Sequence, residues 1–142
     1  MRIFKIKNEQ YSFNIYMKDF SAEGDPFYGG AYFTGYAVVF SSGFQLKTTH
    51  FYFDNHVIKN LHEKLKDLFE KQEGSLVFYS EAKELKLSMF LKPDGELNLE
   101  VDFTDLHSDD RFNCQIPCHY STIPDVKEEL KNFLEVFKYV RA

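Results

Sequence analysis

Glu84-Leu85-Lys86-Leu87-Ser88-Met89-Phe90-Leu91-Lys92-Pro93-Asp94-Gly95-Glu96-Leu97-Asn98-Leu99-Glu100-Val101-Asp102-Phe103 is the stretch that decides the fold. Leu85, Leu87, Met89 and Leu91 fall on every second position. After the turn residues, Leu97, Leu99, Val101 and Phe103 do the same. A period of two means strands with one buried face. With Pro93-Asp94-Gly95 as a three-residue loop, Lys92 faces Glu96, Leu91 faces Leu97, Met89 faces Leu99 and Leu87 faces Val101. Pro presets φ, Asp suits the second position and Gly takes the left-handed place. A two-residue loop would set Lys92 against Leu97 and mix the faces, so the pattern selects the longer loop. The same register predicts a Lys86–Asp102 charge pair across the hairpin.

Working outward, Phe112, Cys114, Ile116 and Cys118 extend the alternation into a strand over Arg111–Tyr120, with Asp105–Asp110 as a polar loop before it. Pro117 cannot donate a ladder bond, which puts that strand at an edge or a bulge. Thr122 and Asp125 have capping-box spacing ahead of a helix whose stripe is Val126, Leu130, Phe133, Leu134 and Phe137. Upstream, Ser75–Ser80 reads as a short strand. Asp54–Gln72 reads as a helix with the stripe Val57, Ile58, Leu61, Leu65, Leu68 and Phe69, capped by Asp54 or Asn55 and stopped by Gly74.

At the N-terminus, Arg2–Lys7 and Gln10–Lys18 form a hairpin around Asn8-Glu9, a two-residue loop that sets Ile6 opposite Tyr11 and Phe4 opposite Phe13. Asp19–Gly30 reads as a loop, with Phe27 and Tyr28 folding back on the core. Ala31–Phe40 and Phe44–Phe53 form a second hairpin around Ser41-Ser42-Gly43. Its first strand is apolar on both sides, with Tyr32, Tyr36, Val38 and Phe40 on one face and Phe33, Ala37 and Val39 on the other. Such a strand is central or has a covered second face. The expected architecture is one α+β domain spanning residues 1–142. It is an antiparallel, strongly twisted sheet of about eight strands covered by two amphipathic helices, in the order ββββαββββα.

Composition bounds function. The chain has 142 residues, 17 basic and 22 acidic, for a net charge of -5. That balance argues against a general nucleic-acid binder. No apolar run approaches a membrane span, and Met1–Lys7 alternates where a signal peptide would carry an apolar block. The default expectation is the cytoplasm, with no membrane and no nucleic acid as partner. Cys114 and Cys118 lie about 13 Å apart on an extended strand, too far for a disulfide, so both are expected as buried free thiols.

Catalytic and metal motifs are weak. Cys114, Cys118 and His119 form one cluster where structural zinc sites use two close pairs, and Cys118 and His119 point to opposite faces of a strand. His56 and His62 lie roughly 240° apart around a helix. Gly24, Gly29 and Gly30 do not open a helix, and no nucleophile-elbow, zincin or nucleotide-binding motif occurs. The reading is a non-enzymatic protein without cofactor. Its more informative set is acidic: with Lys86 and Lys92 committed to Asp102 and Glu96, the residues Glu100, Asp105, Asp109 and Asp110 remain near one end of the sheet. Such a group suits a basic partner.

The order of features from Phe51 onward is familiar. A strand ends at Phe53-Asp54, a helix carries Leu61, Leu65 and Leu68, and Gly74-Ser75-Leu76 begins a strand. Glu84-Leu85-Lys86-Leu87 starts a long one, Gly95-Glu96-Leu97 turns the hairpin, and an amphipathic helix ends near Phe137. This resembles the WapI-type immunity proteins encoded beside bacterial contact-dependent or secreted toxins. The family's acidic-glutamine-threonine step before the last helix is here His119-Tyr120-Ser121-Thr122, which keeps only the threonine. The resemblance implies a small cytoplasmic protein that binds and blocks a cognate toxin, and the acidic surface suits a basic one such as a nuclease domain. The candidate contacts are Glu100, Asp105, Asp109 and Asp110, or the aromatic pair Tyr32 and Tyr36. The rival reading is a small-molecule carrier whose apolar cavity is lined by Tyr32, Tyr36, Tyr52 and Phe27-Tyr28.

Overall fold

The computed structural model describes residues 1–21 and 32–137. Among these residues nine strands and two α-helices follow one another as β1 (Arg2–Lys7), β2 (Tyr11–Ser21), β3 (Tyr32–Ser41), β4 (Gln45–Lys47), β5 (Phe51–Asp54), α1 (Asn55–Lys71), β6 (Gly74–Tyr79), β7 (Leu85–Leu91), β8 (Glu96–Thr104), β9 (Arg111–His119) and α2 (Ile123–Phe137). The α+β class, the antiparallel pairing and the two helices hold. The strands divide between two sheets: β1 to β5 around a central β3, and β6-β7-β8-β9 in order.

The β7–β8 hairpin has the register the alternation requires, with Leu91 opposite Leu97, Met89 opposite Leu99 and Leu87 opposite Val101. Lys92 N–H donates to Glu96 C=O at 2.9 Å, and their side chains form an ion pair at 3.5 Å. Gly95 takes φ +92°, and Asp94 Oδ1 accepts from Glu96 N–H.

The other two hairpins differ from expectation. Asn8 N–H donates to Tyr11 C=O, and Asn8 Oδ1 accepts from both Gln10 and Tyr11 N–H, so the two-residue loop is Glu9-Gln10 and not Asn8-Glu9. Ile6 therefore pairs with Phe13 and Phe4 with Ile15, not with Tyr11 and Phe13. The shift is two residues, so the buried face is unchanged. At the next turn Ser41 N–H donates to Phe44 C=O, leaving Ser42-Gly43 as the loop. The Ser41 hydroxyl accepts from Gly43 and Phe44 N–H, and among the described glycines only Gly74 and Gly95 have positive φ. The returning segment is two strands, β4 and β5, because an extra residue interrupts the ladder at Thr48. The Thr48 hydroxyl accepts from Ala37 N–H, and its own N–H donates to Ala37 C=O.

Strand β2 runs past Lys18 to Ser21, where a loop was expected, and a bulge between Met17 and Asp19 accommodates the extra residue. Bulges bend a strand and re-aim its side chains. This one turns Phe20 onto the face of Phe33 and into edge contact with Phe137 at 5.1 Å. The rest of the expected 19–30 loop, with Phe27 and Tyr28, lies outside the described residues.

Helix α1 is capped by Asp54, whose Oδ1 accepts from Val57 N–H at 2.9 Å. It ends on Gln72 in the left-handed conformation, so Gln72 takes the place expected of Gly74. Helix α2 is entered through a 3-10 turn, Tyr120–Thr122, capped by the His119 side chain. Ile58, Leu61, Leu65 and Leu68 of α1 and Val126, Leu130, Phe133 and Phe137 of α2 are buried, in one core with the inner faces of both sheets. Phe33 joins the layers, stacking on Phe53 at 5.4 Å and meeting Phe133 and Phe137 edge-on at 5.0 Å each.

Strand edges are tied down individually, as edge strands require. Glu129 of α2 accepts from Lys5 N–H on β1 and pairs with Arg2. Asn8 Nδ2 donates to Pro117 C=O on β9, Glu81 N–H to Tyr52 C=O on β5, and Lys64 Nζ to Val77 C=O on β6. Pro117 thus lies on an edge strand, as its missing N–H demands.

Candidate protein-interaction surfaces

The predicted contact residues fall on the outer faces of different sheets. On the four-stranded sheet, Glu100 sits mid-strand on β8, opposite Ser88 and Gln115. Asp102 follows on the same face. It lies opposite Lys86 as predicted, yet its ion pair is with Arg111, at 3.0 Å to Nε and 2.6 Å to Nη2. The Arg111 hydrogen bond holds the Asp102 carboxyl below the usual carboxylate value. Partial desolvation opposes this, and the charges of Arg111 and then Lys86 add to it.

Asp105, Asp109 and Asp110 lie beyond Glu100, in the β8–β9 loop. Asp105 N–H donates to Asp110 C=O and Asp109 N–H to Asp105 C=O, while Asp105 Oδ1 accepts from His107 N–H. Asp109 has φ +62°. The Asp105 carboxylate therefore shapes the turn, and Asp109 and Asp110 are the exposed charges. The acidic set spans from the middle of the sheet to its end, with Arg111 set among it.

The outer face of the five-stranded sheet carries Tyr32 and Tyr36. Across this face Lys5, Asn14, Val38 and Lys47 form one row and Lys7, Ser12, Phe40 and Gln45 the next. Tyr16 stacks on Tyr36 at 5.3 Å and 19°, and Lys47 Nζ lies 4.5 Å from the Tyr36 ring centre. Tyr32, Phe40 and Tyr52 are 42%, 39% and 54% exposed. Even so, Asn14 and Val38 in the middle of this face are nearly sealed from solvent. Tyr16 and Lys47 were not among the candidate contacts read from the sequence, and Phe40 was placed on this face without being named a contact. The signal was present, since the spacing that puts Tyr36 and Phe40 on one face of β3 puts Tyr16 on one face of β2.

Three of the residues named for the carrier reading have the wrong orientation for it, and Phe27 and Tyr28 lie outside the described residues. Tyr32, Tyr36 and Tyr52 stand on the outer face, turned from the core, so they line no space between sheet and helices. Open clefts lie beside α1, such as one of about 480 Å³ between α1 and β6 lined by Lys64, Asp67, Lys71 and Glu73. Cys114 and Cys118 face inward, opposite Val101 and Leu97, but are half-buried where full burial was expected. His119 points the other way, its Nδ1 2.9 Å from Ser121 Oγ. Among the described residues, no helix is long and apolar enough to cross a membrane.

No curated protein matches the sequence. Among solved structures, the plant transcriptional regulator PBF-2 is similar in fold, with TM-score 0.52 and 11% identity, over 97% of this chain and 89% of that one. WHY1 from Arabidopsis thaliana has TM-score 0.50 and 12% identity over 96% and 85% of the two chains. MRP1/MRP2 from Trypanosoma bruciei has TM-score 0.50 and 8% identity over 89% and 74%. At such identities the likeness is one of fold alone. The profile of the immunity protein WapI-like family matches residues 2–138, a longer reach than the features from Phe51 to Phe137 suggested, and the chain belongs to that family.

Proposed function

We propose that this chain is a cytoplasmic immunity protein that binds a cognate toxin protein and neutralises it by occlusion, without catalysis of its own. The family match over residues 2–138 carries the reading. The fold agrees with it: one packed core among the described residues, and exposed aromatic side chains available for contact. The acidic group Glu100, Asp105, Asp109 and Asp110 gives a basic toxin, such as a nuclease domain, an attractive field on approach. Tyr32 and Tyr36 supply the second set of contacts.

The test is co-expression in a toxin-sensitive host. The toxin domain encoded beside this gene is induced with and without the chain, alongside an unrelated toxin as control. Growth is expected only in the cognate pair. Equal killing with and without the chain would sink the reading.

A further inference from the structure

The two outer faces differ in sign. On the four-stranded sheet, Arg111 and Lys86 are set against Glu100 and Asp102, and the loop adds Asp109 and Asp110. On the five-stranded sheet, the rows around Tyr36 contain Lys5, Lys7 and Lys47 against one exposed carboxylate, Asp19, which lies opposite Thr34. Asp54 at the far end of β5 is turned to α1 as its cap. In a protein of net charge -5 this is a local reversal. It surrounds a stacked tyrosine pair with a lysine over one ring. Tyrosine is favoured at protein interfaces because it brings large area at low entropic cost and one polar end. Val38 and Asn14 are already desolvated, so the area a partner can bury on this face comes from Tyr32, Phe40 and Tyr52, which are exposed.

We infer that the Tyr36 face of the five-stranded sheet is the toxin-docking surface, and that the toxin meets it with a protein surface bearing carboxylates. The partner's acidic side chains pair with Lys47, Lys5 and Lys7 at the rim, while an apolar patch covers Tyr16 and Tyr36. The inference rests on the immunity reading and adds to it the face used and the partner's charge. The acidic loop then acts at long range on a different part of the toxin, and the sheet face makes the short-range contact. Bases of single-stranded nucleic acid also stack on aromatic sheet faces, but the overall negative charge of the chain opposes a polyanion.

The experiment uses the full chain and the purified toxin domain encoded beside its gene. Binding kinetics are measured for wild type, Tyr36→Ala, Lys47→Glu, Lys47→Arg and Lys86→Glu, the last on the opposite sheet. Lys47→Glu and Tyr36→Ala are expected to weaken binding tenfold or more, with Tyr36→Ala acting on dissociation. Lys47→Arg and Lys86→Glu should stay within about twofold. Melting curves confirm that each variant is folded. In parallel, amine acetylation of the unmutated protein should show Lys5, Lys7 and Lys47 protected in the complex and Lys86 unprotected.

If wild type fails to bind the toxin, the immunity reading falls and the docking face with it. If wild type binds, the variants match it and the three lysines label at their free rates, only the docking face is overturned. Binding of a labelled oligo-dT strand at physiological salt, lost in Tyr36→Ala, would overturn it in favour of a nucleic-acid platform.

Discussion

Gly35 lies in β3 where a Cβ would come within 2.6 Å of Phe53 Cε1 and 2.9 Å of the Tyr16 carbonyl oxygen. The obstruction is structural, a buried ring and a strand backbone, so neither yields cheaply. Gly35→Ala should lower stability by about 1–3 kcal/mol, the usual cost of overpacking, read as a reduced urea midpoint at unchanged slope. An unchanged midpoint would mean the β2–β3–β5 contact is looser than it stands here. Cys118 makes a second residue-scale case. Burial pushes its thiol up to about 11, and Cys114 is raised for the same reason. The native Cys118 should therefore react with iodoacetamide far more slowly at pH 8 than it does in urea, since the thiolate is the nucleophile. The linkage has a definite sign. Because the folded value is raised above the ordinary thiol value, the contribution to stability is complete at neutral pH and is lost as pH rises from about 9 toward 11. Native and urea-exposed rates that agree would show the thiol lies open to solvent.

Helix α1 shows how much one turn of backbone depends on one side chain. Asp54 ends β5 opposite Tyr32 and caps α1 through Val57 N–H, so it serves two elements at once. Replacing it by Ala leaves the first-turn donors to water and should cost about 1 kcal/mol, within the 0.5–2 kcal/mol range for lost caps. Asp54→Asn retains an accepting oxygen and should lose much less. Thermal melts of the two variants check this, and equal losses would show that the charge of Asp54 matters more than its cap bond. Elements also differ in how far they specify themselves. In the β7–β8 hairpin the alternation and the Pro93-Asp94-Gly95 turn agree, and the register follows. In the β1–β2 hairpin the turn is built by the Asn8 side chain, and both registers bury the same face. Alternation alone therefore could not separate them.

At the scale of the molecule, charge is sorted between the two sheets, and the acidic end has a testable role. Replacing Asp105, Asp109 and Asp110 together by Asn should change global stability little, within about 0.5 kcal/mol per exposed site. The Asp105 carboxylate bond to His107 N–H is retained by the Asn oxygen. Association with the cognate toxin should slow, and its dependence on ionic strength should flatten, because steering acts mainly on the encounter rate. Stopped-flow or biosensor rates at two salt concentrations decide this, and identical rates and salt slopes would remove the loop from the encounter. Because this loop and the Tyr36 face belong to different sheets, the triple variant should leave dissociation unchanged.

The sequence by itself determined the α+β class, the two helical stripes, the inward faces of β7, β8 and β9, and the edge position of Pro117. Those features rest on side-chain period, turn chemistry and a missing N–H, all carried by residues close in the chain. Only the tertiary structure decided that the strands divide into two sheets, that Lys18 bulges so Phe20 meets Phe137, and that Asp102 pairs with Arg111 over Lys86. It also placed Tyr16 beside Tyr36 and Lys47 on a face apart from Asp109 and Asp110. The physical reason is that each of these choices is a competition between partners distant in the chain. Period-two alternation names the face a residue occupies, but the neighbours on that face are chosen by bulges, sheet order and the packing of α1 and α2 across the shared core.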